Sequence, residues 1–386
     1  MASMSDADNP SGAVRTALGG LLAIAAGIGV GRFVYTPILP PMVEALGLSK
    51  SQAGLIASAN FLGYLIGALL AALPSLPGSR RAWVIGALGM SALTTAAMAV
   101  AATTPAFLAL RFVGGAASAF VLIIASTLVL ELLATAGRGG LSALHFAGVG
   151  TGITVSAALV AGLLELGQSW RTLWLASGVL SIAVLAAVAV LLPRHRAQMQ
   201  DASAAQADDA LDLRLRRLII AYGLFGFGYI ITATFLVAIV RGTPAIRSLE
   251  PVIWIVFGLA AAPSVALWTR VATRLGIQTA FALACVVEAA GVLASVVWQT
   301  AGGIFAAAIL VGGTFMGLTA LGLIRARALA QGNPRRALAL MTVAFGVGQI
   351  IGPYFAGIVS DRLDSFTVPS VVAAAALLVA AVFAWD

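Results

Sequence analysis

Twelve apolar stretches limit what this chain can become. They run over residues 14–42, 51–74, 81–103, 105–133, 139–165, 169–193, 213–240, 250–270, 277–298, 301–327, 335–360 and 366–385. Each is close to or longer than the roughly 20 residues a helix needs to cross about 30 Å of hydrocarbon. A membrane barrel would show alternating segments of about 10 residues instead. The 386 residues are 61% hydrophobic and only 9% charged, against roughly 25% charged in a soluble domain. The pattern specifies an all-α polytopic membrane protein with twelve transmembrane helices. Breaks such as TTP at 103–105 and WQTAGG at 298–303 are short, so neighbouring helices must run antiparallel. The opening MASMSDADNP has no basic region ahead of an apolar core, and the first span is expected to be retained.

One break differs from the others. Residues 194–212, RHRAQMQDASAAQADDALD, are polar and charged at both ends, which is linker composition. They divide the chain into an expected six-helix bundle over 1–193, a linker over 194–212 and a second six-helix bundle over 213–386.

The basic residues give the orientation. With both termini on one side, fifteen of the 22 fall on that side: Arg15, Arg80, Arg81, Arg138, Arg194, Arg196, Arg214, Arg216, Arg217, Arg270, Arg274, Arg325, Arg327, Arg335 and Arg336. Five fall on the other: Lys50, Arg171, Arg241, Arg247 and Arg362. The bias predicts cytoplasmic termini, and the setting expected for this chain is a bacterial inner membrane. The net charge of +8 therefore sets topology and meets lipid headgroups; it implies no nucleic-acid partner. Two arginines, Arg32 and Arg111, remain inside spans. The lone Cys285 excludes an intrachain disulfide, and no Cys/His cluster suggests a metal.

The halves repeat. FVGGAASA at 112–119 and LVGGTFMG at 310–317 lie 198 residues apart, as do GVGT at 148–151 and GVGQ at 346–349. GVG at 29–31 and GFG at 226–228 lie 197 apart. Three matches between corresponding spans indicate duplication of a six-helix unit, an arrangement used by transporters with a site between their halves.

These features resemble the major facilitator superfamily. RFVGGAASA at 111–119 is similar to its fourth-helix pattern R-x-x-x-G-x-x-x-[GA], through Arg111, Gly115 and Ala119. FGVGQIIGPYFAG at 345–357 and GIGVGRFVYTPILP at 27–40 resemble the YbfB/YjiJ-type subgroup. The superfamily's loop motif G-x-x-x-D-R-x-G-R-R is degenerate: LPSLPGSRR keeps Gly78, Arg80 and Arg81 but has no aspartate. A latch built on that motif would have to be built differently here. The resemblance implies that spans 1, 2, 7 and 11 line a central cavity.

On those spans the polar and aromatic residues are Arg32, Tyr35, Thr36, Asn60, Tyr64, Tyr229, Thr232, Gln349 and Tyr354, the expected substrate-binding set. An arginine within the bilayer costs from about 2.5 to more than 10 kcal/mol unless it has a partner or a wet cavity. Arg32 is either a buried cap or ion pair, or a group that attracts an anion; no acid in spans 1, 2 or 7 stands out as its partner. Arg111, His145, Glu131, Pro37 and Pro353 form the expected coupling or gating set. Packing alone could also explain Arg111 and His145, and an interfacial charge network Glu131. Glu288, in the ninth span, has no assigned role. The glycine patterns at 148–152 and 346–349 read as helix contacts.

The function expected is secondary active transport, by alternating access, of a small organic anion or carboxylate-bearing solute, with protons as a candidate coupling ion and a monomer as the working unit. No cofactor is implied. The alternatives are efflux of neutral or cationic compounds, which the lack of cavity acids disfavours, and a receptor that kept a transporter fold. No HExxH or GxSxG points to an enzyme.

Overall fold

The computed structural model describes residues 10–73, 76–193, 212–330 and 333–385. The expected linker lies outside the described residues, except for Asp212. The helices are α1 (Pro10–Ile24), α2 (Tyr35–Leu46), α3 (Lys50–Ala71), α4 (Arg80–Ala97), α5 (Thr104–Thr135), α6 (Ser142–Glu165) and α7 (Trp170–Leu191) in the first half. The second half holds α8 (Leu213–Gly242), α9 (Glu250–Ala261), α10 (Ser264–Leu275), α11 (Ile277–Val297), α12 (Ala301–Leu329), α13 (Pro334–Leu363) and α14 (Thr367–Ala384).

Two of the twelve spans are broken. The first runs α1, a π-helical turn at Ala25–Val30, an irregular turn, then α2. The eighth is interrupted at Ala262 and Pro263, between α9 and α10. Proline has no N–H to give to the preceding turn, so a helix breaks or kinks there. The eighth span therefore reaches Leu275, five residues beyond its sequence limit. Among the described residues, eleven spans meet the length and apolarity needed to cross a bilayer. The other one, α4, opens on Arg80–Arg81 and carries Ser91, Thr94 and Thr95; it packs between α5 and α7 and completes the first bundle.

Local chemistry sets the helix starts. Ser49, Ser79, Thr103, Ser169, Thr300 and Asn333 each accept a hydrogen bond from a first-turn N–H. The outward faces are apolar, as lipid contact requires: Val179, Val190 and Val382 are well exposed.

Besides α2 on α8, the halves meet along two helix pairs, α3 with α13 and α6 with α9. The sequence repeat exchanges these pairs, as an axis between the halves requires. The repeated glycines make the contacts close. A Cβ on Gly148 would meet Leu21 of its own half, and one on Gly150 would meet Ala262 across the interface. Their counterparts serve the same two tasks in swapped order: Gly346 faces Leu65 across the interface, and Gly348 faces Gly223 in its own half.

Candidate functional site

Arg15 and Arg81 bind carbonyls at the end of α7, and Arg80 pairs with Glu131 near the end of α5; these three mark one end of the molecule, here the basic end. The polar contacts that tie the halves together include several at and towards the opposite end. There Arg241 of α8 binds Glu44 of α2 through two nitrogens and Glu250 of α9 at 2.9 Å. The Lys50 and Ser51 N–H groups, at the start of α3, donate to Asp361 of α13 at 2.8 and 2.9 Å. Lys50 Nζ adds an ion pair to Asp364 at 2.6 Å. That pair holds the exposed Asp364 carboxyl below the usual aspartate range. The contact needs Gly357, since a Cβ there would collide with the Lys50 carbonyl. Nearer the middle, Thr36 Oγ1 donates to the Ala233 carbonyl at 2.7 Å, and Ser58 Oγ to that of Ile350 at 2.6 Å.

Arg32 sits where the first span loses its regular helix. Gly31 N–H reaches back to the Ala26 carbonyl and Phe33 N–H to that of Ile28, five residues each. Thr36 N–H turns to the Phe33 carbonyl, and Pro37 has no N–H to give. The Gly31 and Arg32 carbonyls are taken up instead by Arg111 of α5, whose Nη1 and Nη2 donate to them at 2.9 Å each. The Arg111 guanidinium lies 5.1 Å from the Tyr35 ring centre and 5.8 Å from that of Trp174. Asn60 completes this support by donating to the Arg111 carbonyl at 2.9 Å.

The Arg32 side chain is only 6% exposed. Its guanidinium lies 4.5 Å from the Tyr64 ring centre, 4.7 Å from Phe61 and 5.3 Å from Phe33. Its Nε and Nη2 are buried without a hydrogen-bond partner, and no carboxylate pairs with it among the described residues. Phe33, beside Arg32, contacts Phe315, which lies against Tyr229 of the second half.

Around Tyr229 the second half supplies an aromatic wall. Tyr229 lies nearly parallel to Phe315, 5.5 Å away at 10°, and to Phe345, 5.8 Å away at 9°. Phe225 stacks on it at 5.2 Å. Phe33 reaches across the interface to Phe315 at 5.9 Å and Trp254 at 6.4 Å. Gln349 donates to the Tyr229 hydroxyl and keeps a buried, unpartnered Oε1; the Thr232 hydroxyl is likewise buried and unpartnered.

The structure thus brings together Arg32, Tyr64, Tyr229 and Gln349. It does not bring Tyr35, Thr36, Asn60 or Tyr354 to that point. Tyr35 donates to the Ala53 carbonyl at 2.8 Å inside the first bundle, and Thr36 bonds Ala233. Their helical spacing from Arg32 does not apply across the irregular turn. Asn60 is spent on Arg111. Tyr354 is 44% exposed; five residues from Gln349 is about 140° around a helix, so it faces away. His145 contacts Ser126 Oγ at 3.0 Å and fills the space that Gly20 leaves on α1. Glu131 pairs with Arg80. Glu288 is fully buried, and its Oε1 accepts from Thr314 at 3.1 Å. Pro37 and Pro353 are buried, with the Pro353 carbonyl against Gly54.

Sequence reasoning missed Phe61, Phe225, Phe315, Phe345 and Trp254. Helical spacing could have found three of them. Phe61 is three residues before Tyr64, and Phe225 and Phe345 are four before Tyr229 and Gln349.

The profile of the family described as "Uncharacterised MFS-type transporter YbfB" matches residues 24–385. The chain is 26% identical over 381 residues to a "Chloramphenicol resistance protein" of Streptomyces lividans, covering 93% of this chain and 94% of that one. It is 31% identical over 157 residues to a "Gallate transporter" of Pseudomonas putida, covering 40% of this chain and 34% of that one. Among solved structures it resembles the nucleoside transporter NupG, with a TM-score of 0.75 at 15% identity, covering 96% of this chain and 98% of that one. It also resembles a bacterial homologue of the lysosomal transporter Spinster in an inward-facing, occupied conformation, with a TM-score of 0.72 at 14% identity, covering 96% and 95%. With the internal repeat and twelve spans, the match over residues 24–385 makes this chain a member of the YbfB-type family of major facilitator superfamily transporters, membrane proteins that carry small molecules and are not enzymes.

Proposed function

We propose that this protein is a secondary active transporter of small organic anions, working by alternating access, with Arg32 as the anion-binding group. One observation carries the reading. The two nitrogens of Arg32 left buried and unpartnered, Nε and Nη2, form one edge of the guanidinium. Two parallel N–H groups on one edge match the two oxygens of a carboxylate. Leaving such buried donors unbonded is costly, and an anionic cargo would remove that cost.

In this account Tyr64, Tyr229, Thr232 and Gln349 contact the cargo beside Arg32. Arg111 and Asn60 position the Arg32 peptide, while Tyr35 and Thr36 set the packing of α2. The basic end faces the cytoplasm of a bacterial inner membrane, with both termini there. The Arg241 and Asp361 contacts hold the opposite end shut, Pro37 and Pro353 serve as hinges near it, and the Glu131–Arg80 pair works at the basic end. Proton coupling belongs to the proposal, and His145 and Glu288 are the buried titratable groups available to exchange the proton. One chain holds the whole pathway and acts as a monomer. The bundles end at residue 193 and begin at 213, joined by the 194–212 linker.

The test is a thermal-shift screen of purified protein against carboxylates, amino acids and cationic drugs, followed by flux in proteoliposomes. A ligand that binds the native state raises its midpoint. Protection by carboxylates with saturable flux supports the account. Protection by cations alone contradicts the anion reading, and binding without flux makes the protein a receptor. The relative named for chloramphenicol resistance, which aligns over 93% of this chain, favours a second reading, export of a drug-like compound. Flux measured in both membrane orientations decides between import and export.

A further inference from the structure

We propose that the cargo is a flat aromatic carboxylate, its carboxylate held by Arg32 and its ring stacked on the wall built around Tyr229. The inference rests on the anion reading above and names the class of anion. Rings cover the Arg32 guanidinium, with Tyr64, Phe61 and Phe33 between 4.5 and 5.3 Å from its central carbon. Its Nε–Nη2 edge is the part left unpartnered. A carboxylate bonded to that edge lies in the guanidinium plane.

Aromatic faces lie one ring contact from Arg32, through Phe33. Phe345, Tyr229 and Phe315 come from α13, α8 and α12, and adjacent planes lie within 10° of parallel. Phe33 contacts Phe315 and Trp254 from the first half, so aromatic rings run unbroken from Arg32 to the wall. In a benzoate-type anion, conjugation keeps carboxylate and ring in one plane. A single flat molecule thus offers an in-plane carboxylate for the guanidinium edge and a ring face for the wall. A saturated ring of equal charge is thicker and has no π-face to offer. Because the three wall rings sit on three separate helices, a cargo ring can replace one ring–ring contact without unwinding a helix. Few of these rings are needed to seal the interface, since glycine contacts already close α3 on α13 and α6 on α9.

The experiment is calorimetric titration of the full-length purified protein with benzoate, cyclohexanecarboxylate and benzamide. The expected result is benzoate binding about tenfold tighter than cyclohexanecarboxylate, with benzamide far weaker than either. Equal affinity for the two carboxylates overturns the aromatic inference and leaves the anion reading standing. Benzamide binding as well as benzoate, or no binding by either carboxylate, overturns the anion reading and this inference with it. Phe345→Leu should narrow the benzoate preference to about twofold. Phe315→Leu makes the same test from another helix if the first variant does not fold. An undiminished preference in a folded variant places the ring elsewhere and overturns the proposal.

Discussion

The guanidinium of Arg111 donates to the carbonyl of Arg32 at 2.9 Å, so one buried arginine holds the peptide that carries the other. The same guanidinium takes the Gly31 carbonyl, at the point where the first span leaves its helical ladder. An irregular turn in the apolar interior persists only where other groups take up its freed backbone.

Removing the Arg111 fork should therefore cost stability and cargo binding together. Arg111→Met leaves two buried carbonyls unpartnered, at about 1–3 kcal/mol each. The variant's thermal midpoint, followed by intrinsic fluorescence, should fall clearly below wild type. Arg111→Lys supplies a donor without the planar fork and should recover part of the loss. A wild-type midpoint for Arg111→Met would mean that the turn supports itself.

The close packing of α3 on α5 makes a second prediction. A Cβ on Gly63 would collide with the Phe112 carbonyl, whereas one on Gly86 of α4 meets nothing within 4 Å. Gly63→Ala should lower the midpoint by forcing the helices apart. Gly86→Ala should leave it unchanged or raise it, because alanine is favoured over glycine in a helix by about 0.5–1 kcal/mol. Equal effects of the two substitutions would contradict this packing.

Much of this was readable in the chain. Apolar runs located the spans, and the glycine repeats marked the helix contacts now seen at Gly148, Gly150, Gly346 and Gly348. Arg32 stood out because a charge inside an apolar span needs a partner or a wet cavity. The aromatic wall did not stand out, because Phe315 looks like any other apolar residue in a span, and Phe225 and Phe345 show only by their spacing from Tyr229 and Gln349. Helical spacing also misled around Arg32. It tied Tyr35 and Thr36 to the arginine's face, while the π-helical turn and Pro37 direct them elsewhere. The contacts at the opposite end join residues about 200 to 310 positions apart, such as Glu44 with Arg241 and Lys50 with Asp361, and no local pattern announces them.

Those contacts should bias the opposite end towards closure. Asp361→Ala removes an acceptor from two N–H groups at the start of α3, worth about 1 kcal/mol as a helix cap. Glu44→Gln weakens a half-exposed ion pair, worth at most about 1 kcal/mol. Together they should raise the population open at this end by about tenfold or more. Spin labels at Ala45→Cys and Ala245→Cys, near the ends of α2 and α8, report it as a longer distance component; the native Cys285 is buried and should stay unlabelled. The Asp364 carboxyl is depressed in the folded protein, so its contribution is present above the unfolded aspartate value and fades as pH falls through the folded one. Acidification into that range should act in the same direction as the substitutions. An unchanged distance distribution in the double variant would show that these contacts do not form the gate.

The most direct test of the account is the affinity of folded Arg32 variants for benzoate. Arg32→Gln keeps polarity and approximate length but loses the charge and the paired donors, and should bind at least about thirtyfold more weakly. Arg32→Lys keeps the charge without the fork and should fall between, about tenfold weaker than wild type. Wild-type affinity in an Arg32→Gln protein whose thermal midpoint is unchanged would contradict the claim that Arg32 binds the cargo.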